Sequence, residues 1–321
     1  MTLVILGGLV VLVAPGLAAM IAFGTSNPPP VLASISDPFR TVDFSALPPA
    51  ETLTARDGTV LAYRRWTATP APGEPERVVI AVHGSSAMGS SMHPLAQALR
   101  AAGMTVYAPD IRGHGDSGRR GDIDDASQLD DDLADLVAAV KAKQPNARLT
   151  LLGFSSGGGF ALRIGATPLG AAFERVVLIS PMLGPRAPTT RPDAGGWVKP
   201  FIPRIIGLLL LNRLGIHGFD YLPALAFAIA PENAARLTGA YSFRLMRAFG
   251  TNDYEADLRN ARAPLALLAG SRDEAFVAEL YAPTVHAARA EVPVTIVPDL
   301  GHIGMTTDPR AAPAIVAAIR G

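Results

Sequence analysis

The run Leu149-Thr-Leu-Leu-Gly-Phe-Ser-Ser-Gly-Gly-Gly159 reads as a short apolar strand that passes into Gly153-Phe154-Ser155-Ser156-Gly157 and then into a helix beginning on glycines. This is a G-x-S-x-G pattern in strand–turn–helix context. A serine at so tight a turn is forced toward positive φ, and the residues two away on either side must lack bulk so that strand and helix can approach. Gly153 and Gly157 supply that room. The turn lifts the Ser155 hydroxyl above the sheet edge. It also aims the N–H of Ser156, at the helix N-terminus, toward the place where an oxyanion would form. An ordinary glycine-rich turn can carry the same spelling, so the flanking sequence has to separate the two.

Working outward, apolar runs bounded by turn residues recur. Residues 51–56 and Val60–Trp66 flank Asp57-Gly58, a hairpin signal. Arg77–Val82 reads as a buried strand ending in His83-Gly84-Ser85-Ser86, and residues 104–108 as the next, followed by Pro109-Asp-Ile-Arg-Gly-His-Gly-Asp-Ser-Gly118. Further strands are expected at Arg148–Phe154, 175–180, 264–270 and 292–297, and helices at 94–102, from Ser127 to about residue 143, and at 311–319. Asp130, Asp131 and Asp132 fall in the early turns of the Ser127 helix, where its dipole favours negative charge, which makes a solvated helix start the expectation rather than a metal site. Strands alternating with helices predict an α/β fold, a mostly parallel central sheet with helices on both faces. Residues 185–262 break the rhythm. They hold Trp197, Phe201, the run from Leu208 to Leu211, and Phe227, cut into short helices by prolines and glycines. Arg204 and Arg213 bracket a run too short to cross a bilayer, so this insertion is expected to be a helical lid.

Composition narrows the function classes. Hydrophobic residues make up 49% of the 321-residue chain and the formal net charge is +0, which excludes disorder and argues against nucleic acid as the main partner. With no cysteine there is neither a disulfide nor a thiolate nucleophile. Basic residues are nearly all arginine, a composition suggestive of a GC-rich bacterial genome. Residues 2–23 carry no charged side chain. As a helix they would span roughly 33 Å, against about 30 Å of bilayer hydrocarbon. An N-terminal transmembrane helix (residues 1–24) is therefore expected, anchoring the chain in a bacterial inner membrane, with the periplasmic side slightly favoured. The alternatives are a cleaved signal peptide, with a small-x-small site at Ala22-Phe23-Gly24, and a buried core helix. Residues 25–50 are proline-rich and predict an extended linker before a main domain at 51–321.

From about residue 51 to the end, the chain resembles the α/β-hydrolases, and within them the lysophospholipase, monoacylglycerol-lipase and serine-aminopeptidase (S33) branch. The resemblance rests on five pieces in order: His83-Gly84, Asp110-x-Arg-Gly-His-Gly-x-Ser117, the Gly153–Gly157 turn, Gly270-Ser-Arg-Asp273 and Gly301-His302. It implies Ser155 as nucleophile, His302 as base and Asp273 as the acid that orients the base. The chemistry needs each of them, since a serine hydroxyl attacks only when an imidazole takes its proton, and the imidazole needs a carboxylate to fix its tautomer. Asp299 and Glu274 are rivals for the acid. The resemblance also implies an oxyanion hole from the N–H groups of Ser85 and Ser156. His83, His114, Asp110 and Arg112 are expected to brace loops, and no metal or other cofactor is required.

The loop after His83 departs from the usual lipase continuation of this branch, which leaves acyl specificity open. The resulting expectation is a membrane-anchored serine hydrolase acting on a carboxylic ester with a lipophilic acyl chain, such as a lysophospholipid or monoacylglycerol. Thioester or amide substrates would use the same parts, and a non-catalytic binding protein on the same fold is the rival from another class.

Overall fold

The computed structural model describes residues 15–321. Its main sheet has eight strands in the order β1-β2-β4-β3-β5-β6-β10-β11. These are β1 (Ala50–Thr54), β2 (Val60–Trp66), β3 (Arg77–Val82), β4 (Met104–Pro109), β5 (Arg148–Phe154), β6 (Arg175–Ile179), β10 (Leu265–Gly270) and β11 (Val294–Val297). The hairpin β1–β2 is antiparallel and β2 pairs antiparallel with β4, while every pairing from β4 to β11 is parallel. The central strands are apolar along their length because both faces are covered. Val78, Val79, Ile80 and Val82 of β3 and Leu151 and Leu152 of β5 have no exposed surface. Successive side chains of each strand go to opposite faces. Ile80, Leu151 and Leu178 therefore pack with the helix Gln128–Lys143, while Val79, Leu152 and Ile179 pack with His93–Ala101 and Ala312–Arg320.

The expected strands are present within a residue or two. The helix start at Ser127 differs in detail: its hydroxyl donates to Asp125 (2.7 Å) rather than capping the helix. The three aspartates that follow are each paired with an arginine, Asp130 with Arg163, Asp131 with Arg56 and Asp132 with Arg112.

The transmembrane helix is overturned. Among the described residues, no helix is long and apolar enough to cross a membrane. Residues 2–14 of the expected span lie outside the described residues. Residues 15–23 are helical, and their last turn meets protein on one side. Ile21 is buried with Leu208, Ala224 and Phe243, and the Arg204 guanidinium donates to the carbonyls of Ile21 (2.6 Å) and Ala22 (3.0 Å). These are carbonyls of the helix's last turn, which a cation satisfies well. The expected anchor, the membrane as partner and the placement derived from it have no support in this structure. The segment after it is not an extended spacer either. It forms a short helix Ala33–Ser36 and a 3-10 turn Asp37–Thr41, and Ile35, Phe39 and Leu47 pack on the core.

The insertion contains helix Ile202–Arg213 and a three-stranded antiparallel sheet, β7 (Val198–Pro200), β8 (Pro223–Phe227) and β9 (Ala240–Ser242), where only helices were expected. Strands of three to five residues leave too little alternation to be read from sequence. A buried polar chain ties this small sheet to the main domain. Tyr241 of β9 donates to His114 Nε2 (2.5 Å) and accepts from the N–H of Ser86 (2.6 Å). His114 Nδ1 faces the carbonyl of Ile111 (3.1 Å), and His83 Nε2 accepts from the N–H of Ile111 (3.1 Å). Both rings are therefore neutral. Desolvation lowers the pKa of His83 and takes His114 well below its ordinary value, and it raises that of the Tyr241 phenol, which stays protonated.

This buried cluster predicts an acid limb of stability. Below the ordinary histidine value of about 6.5, unfolded imidazoles take up protons while the folded ones stay neutral. Stability is thus complete above that value and falls as the pH drops, by about 1.4 kcal/mol per pH unit for each such histidine. Urea unfolding measured across this range should show that slope, and His114→Gln should flatten it.

Candidate active site

Ser155 sits where β5 turns into the helix Ser156–Ala166, at φ 55° and ψ −119°. The turn is held by backbone bonds: its N–H donates to Ile179 O and its carbonyl accepts from Gly158, Gly159 and Met182. A Cβ at position 153 would lie 2.1 Å from Gly157 O, and one at 157 would lie 2.3 Å from His83 O. No side chain fits at either place, which is the physical content of the two glycines in the pattern.

His302 follows β11 on the loop Asp299–His302, and Asp273 follows β10. His302 Nδ1 donates to Asp273 Oδ2 at 2.9 Å, and both side chains are buried. With the proton on Nδ1, Nε2 carries the free lone pair. The ring is packed between Phe154 (centroids 4.7 Å) and Phe276 (5.2 Å). Burial pushes the Asp273 carboxyl up. The His302 ring and the N–H of Phe276, which donates to Oδ1, outweigh that and hold it below the usual carboxylate value. Ala275 N–H also donates to Oδ1 (2.9 Å), and Ser180 lies buried nearby at φ 41°. Asp273 is therefore ionised and fully satisfied, which suits a group that orients an imidazole.

The two rival acids do other work. Asp299 is exposed and pairs with Arg272 at 2.5 Å. Glu274 Oε2 accepts from the backbone N–H of His302 at 2.8 Å, so it holds the loop rather than the ring. Sequence reasoning gave Glu274 no such task, since a contact 28 residues away along the chain leaves no local signal.

Gly84 places the loop after β3 against Ser155, since a Cβ there would lie 3.2 Å from the Cβ of Ser155. Neither Ser85 nor Ser156 N–H is spent on another described backbone group. The loop is braced by groups on both sides. Asp110 accepts from Gly89 N–H (2.7 Å) and Asp116 N–H (3.0 Å), and the Trp197 indole donates to Ser85 Oγ at 2.9 Å. Arg112 bridges Asp132 and Asp57 at 2.6 and 2.8 Å, and these contacts lower the Asp57 carboxyl and raise the guanidinium. His83 and His114 brace backbone, as described above. Among the described residues, no group of three or more His, Asp or Glu side chains is arranged to hold a metal ion.

Ser85, Ser155, Ser156 and His302 all open into one cavity of ≈ 1650 Å³. The insertion supplies Trp197, Ile202, Ile205, Leu209, Leu225 and Phe227 to its wall. Phe201 and Leu208, also expected over the site, are buried and do not line it.

Several known proteins resemble parts of this chain. A monoacylglycerol lipase of Mycolicibacterium smegmatis is 35% identical over 125 residues, 39% of this chain and 43% of that protein. A monoglyceride lipase of Rattus norvegicus is 29% identical over 181 residues, 55% of this chain and 56% of that protein. The match thus spans about half the length of these curated relatives, 43% and 56%. Among solved structures, a soluble variant of monoglyceride lipase from Saccharomyces cerevisiae superposes with a TM-score of 0.62 at 16% identity, covering 87% of this chain and 96% of that one, which speaks to the fold alone. The family model described as serine aminopeptidase, S33 matches residues 73–303, most of the sheet, the elbow and the loop of His302, and this chain belongs to that α/β-hydrolase family.

Proposed function

We propose that the protein is a serine hydrolase that cleaves carboxylic esters of lipophilic acyl groups through an acyl-enzyme on Ser155. The observation that carries this reading is the buried His302–Asp273 pair at 2.9 Å, opening with Ser155 into one largely apolar cavity. Ser155 Oγ adds to the ester carbonyl while its proton passes to His302 Nε2. The oxyanion takes hydrogen bonds from the N–H groups of Ser85 and Ser156. Collapse of the tetrahedral intermediate breaks the C–O bond, and His302 returns the proton to the departing alcohol. Water then repeats the sequence on the acyl-enzyme with His302 as base. Asp273 holds the ring in its Nδ1–H tautomer and stabilises the imidazolium that forms in each half.

Acyl preference follows from the wall. Each methylene removed from water contributes about 0.8 kcal/mol, so four extra carbons are worth about 3 kcal/mol, roughly a hundredfold in kcat/KM where that binding is realised in the transition state. The monoacylglycerol and monoglyceride lipases to which the chain is similar carry names that fit such substrates.

Ser155→Ala should abolish both turnover and labelling by a fluorophosphonate, with kcat falling on the order of 10⁶-fold. A variant that keeps a tenth of the activity would refute the nucleophile. Asp273→Asn should cost about 10⁴ in kcat because an amide favours the wrong tautomer, whereas Asp299→Asn should be nearly silent. For p-nitrophenyl esters from acetate to decanoate, kcat/KM should rise with chain length below the micelle threshold. A steady fall would remove the lipophilic substrate and leave the esterase.

A further inference from the structure

The family match begins at residue 73, yet the cavity has a wall that lies well upstream of it. Ile35, Ser36, Phe39 and Phe44 line the same space as Ser155 and His302. The segment that carries them is fixed at both ends. At its start, the helix over 15–23 is capped by Arg204 of the insertion, and Leu32 lies over Gly196, where a Cβ would meet its methyl groups at 3.9 Å. At its end, Phe44 stacks on His93 with centroids 5.7 Å apart and an interplanar angle of 26°. Between these points Ile35 and Phe39 pack on the cluster containing Leu300 and Ile303, which flank the His302 loop, and the turn Asp37–Thr41 lies against helix Gly304–Thr307. Residues 32–44 therefore form a strap that runs from the insertion, beside Trp197, across to the loop that holds the base.

Ile35 and Phe39 are only half-buried, and the cavity is one of the spaces they border. Apolar surface that borders a water-filled space is better covered by hydrocarbon than by solvent. A segment laid over a rigid scaffold is also where specificity is commonly set. We propose that the strap is a wall of the substrate cavity and that Ile35 and Phe39 are specificity-determining residues, contacting the hydrocarbon part of the substrate. This rests on the ester-hydrolase reading above. The elbow, the oxyanion loop and the His302–Asp273 pair are built by other segments.

The test uses the full chain with Phe39→Ala and Ser36→Trp, the first removing wall surface and the second filling the cavity. Fluorophosphonate labelling reports whether Ser155 is still activated. With labelling within twofold of the parent, Phe39→Ala should lower kcat/KM for p-nitrophenyl decanoate about tenfold and for the acetate less than twofold. Ser36→Trp should move the chain-length optimum to shorter esters. If labelling, acetate and decanoate turnover fall together, the residue is merely structural and the proposal is overturned; so is it if the decanoate-to-acetate ratio stays unchanged in both variants. Calorimetric binding of p-nitrophenyl decanoate to Ser155→Ala protein, with and without Phe39→Ala, keeps the two readings apart. About tenfold weaker binding in the double variant supports the strap even if the parent shows no turnover, while equal binding rejects the strap and leaves the hydrolase reading intact.

Discussion

The close approach of strand β5 to the helix it feeds is the constraint on which the site depends. At Ser155 the chain reverses within a few residues, in a backbone region that costs a non-glycine residue on the order of 1–3 kcal/mol. The surroundings hold it there: Ile179 O takes the Ser155 N–H, and the Ser155 carbonyl takes three N–H groups, those of Gly158, Gly159 and Met182. Gly157 brings the helix start against the carbonyl of His83. Ser155, the helix N-terminus and the loop after β3 thereby share one small volume. Relaxing the turn would separate all of them at once.

Around that point, polar groups hold loops so that few of them are left to settle by themselves. His302 is held by its ring through Asp273 and by its backbone through Glu274, two neighbouring acids acting on different parts of one residue. The loop after β3 is gripped from the core by Asp110 and from the insertion by Trp197 and Tyr241. The insertion is therefore part of what positions Ser85 and Ser86.

The N-terminal segment shows how apolar composition misleads. An uncharged run satisfies a bilayer and a protein surface alike, because both are apolar surroundings for a helix whose backbone bonds are internal. One side of the described part, Leu17 and Ile21, packs on the insertion, and Arg204 satisfies its terminal carbonyls, while Phe23 stays exposed. That partner lies more than 180 residues downstream, |i−j| being 183 for Ile21, and nothing within a local window announces it. The prolines that follow similarly read as a spacer, while Phe39 and Phe44 among them have surfaces to dock on.

What the sequence by itself determined is what local physics dictates. Alternating apolar runs and turns identify a parallel sheet with helices on both faces, since only strands buried on both sides read as unbroken apolar stretches. The spelling of Gly153 to Gly157 specifies a sharp turn because no other residue fits at its two ends, and the order of Ser155, Asp273 and His302 follows the strand ends on which they lie. Tertiary structure brings Asp273, the acid the resemblance implied, to the imidazole, while Glu274 and Asp299, also within four residues of a strand end, take other partners. It also decided that Tyr241 and Trp197 grip the loop after β3, that the insertion carries its own sheet, and that residues 32–44 wall the cavity. Each of those is a contact between segments far apart in the chain, set by the packing of completed elements, for which the residues themselves carry no period, spacing or motif.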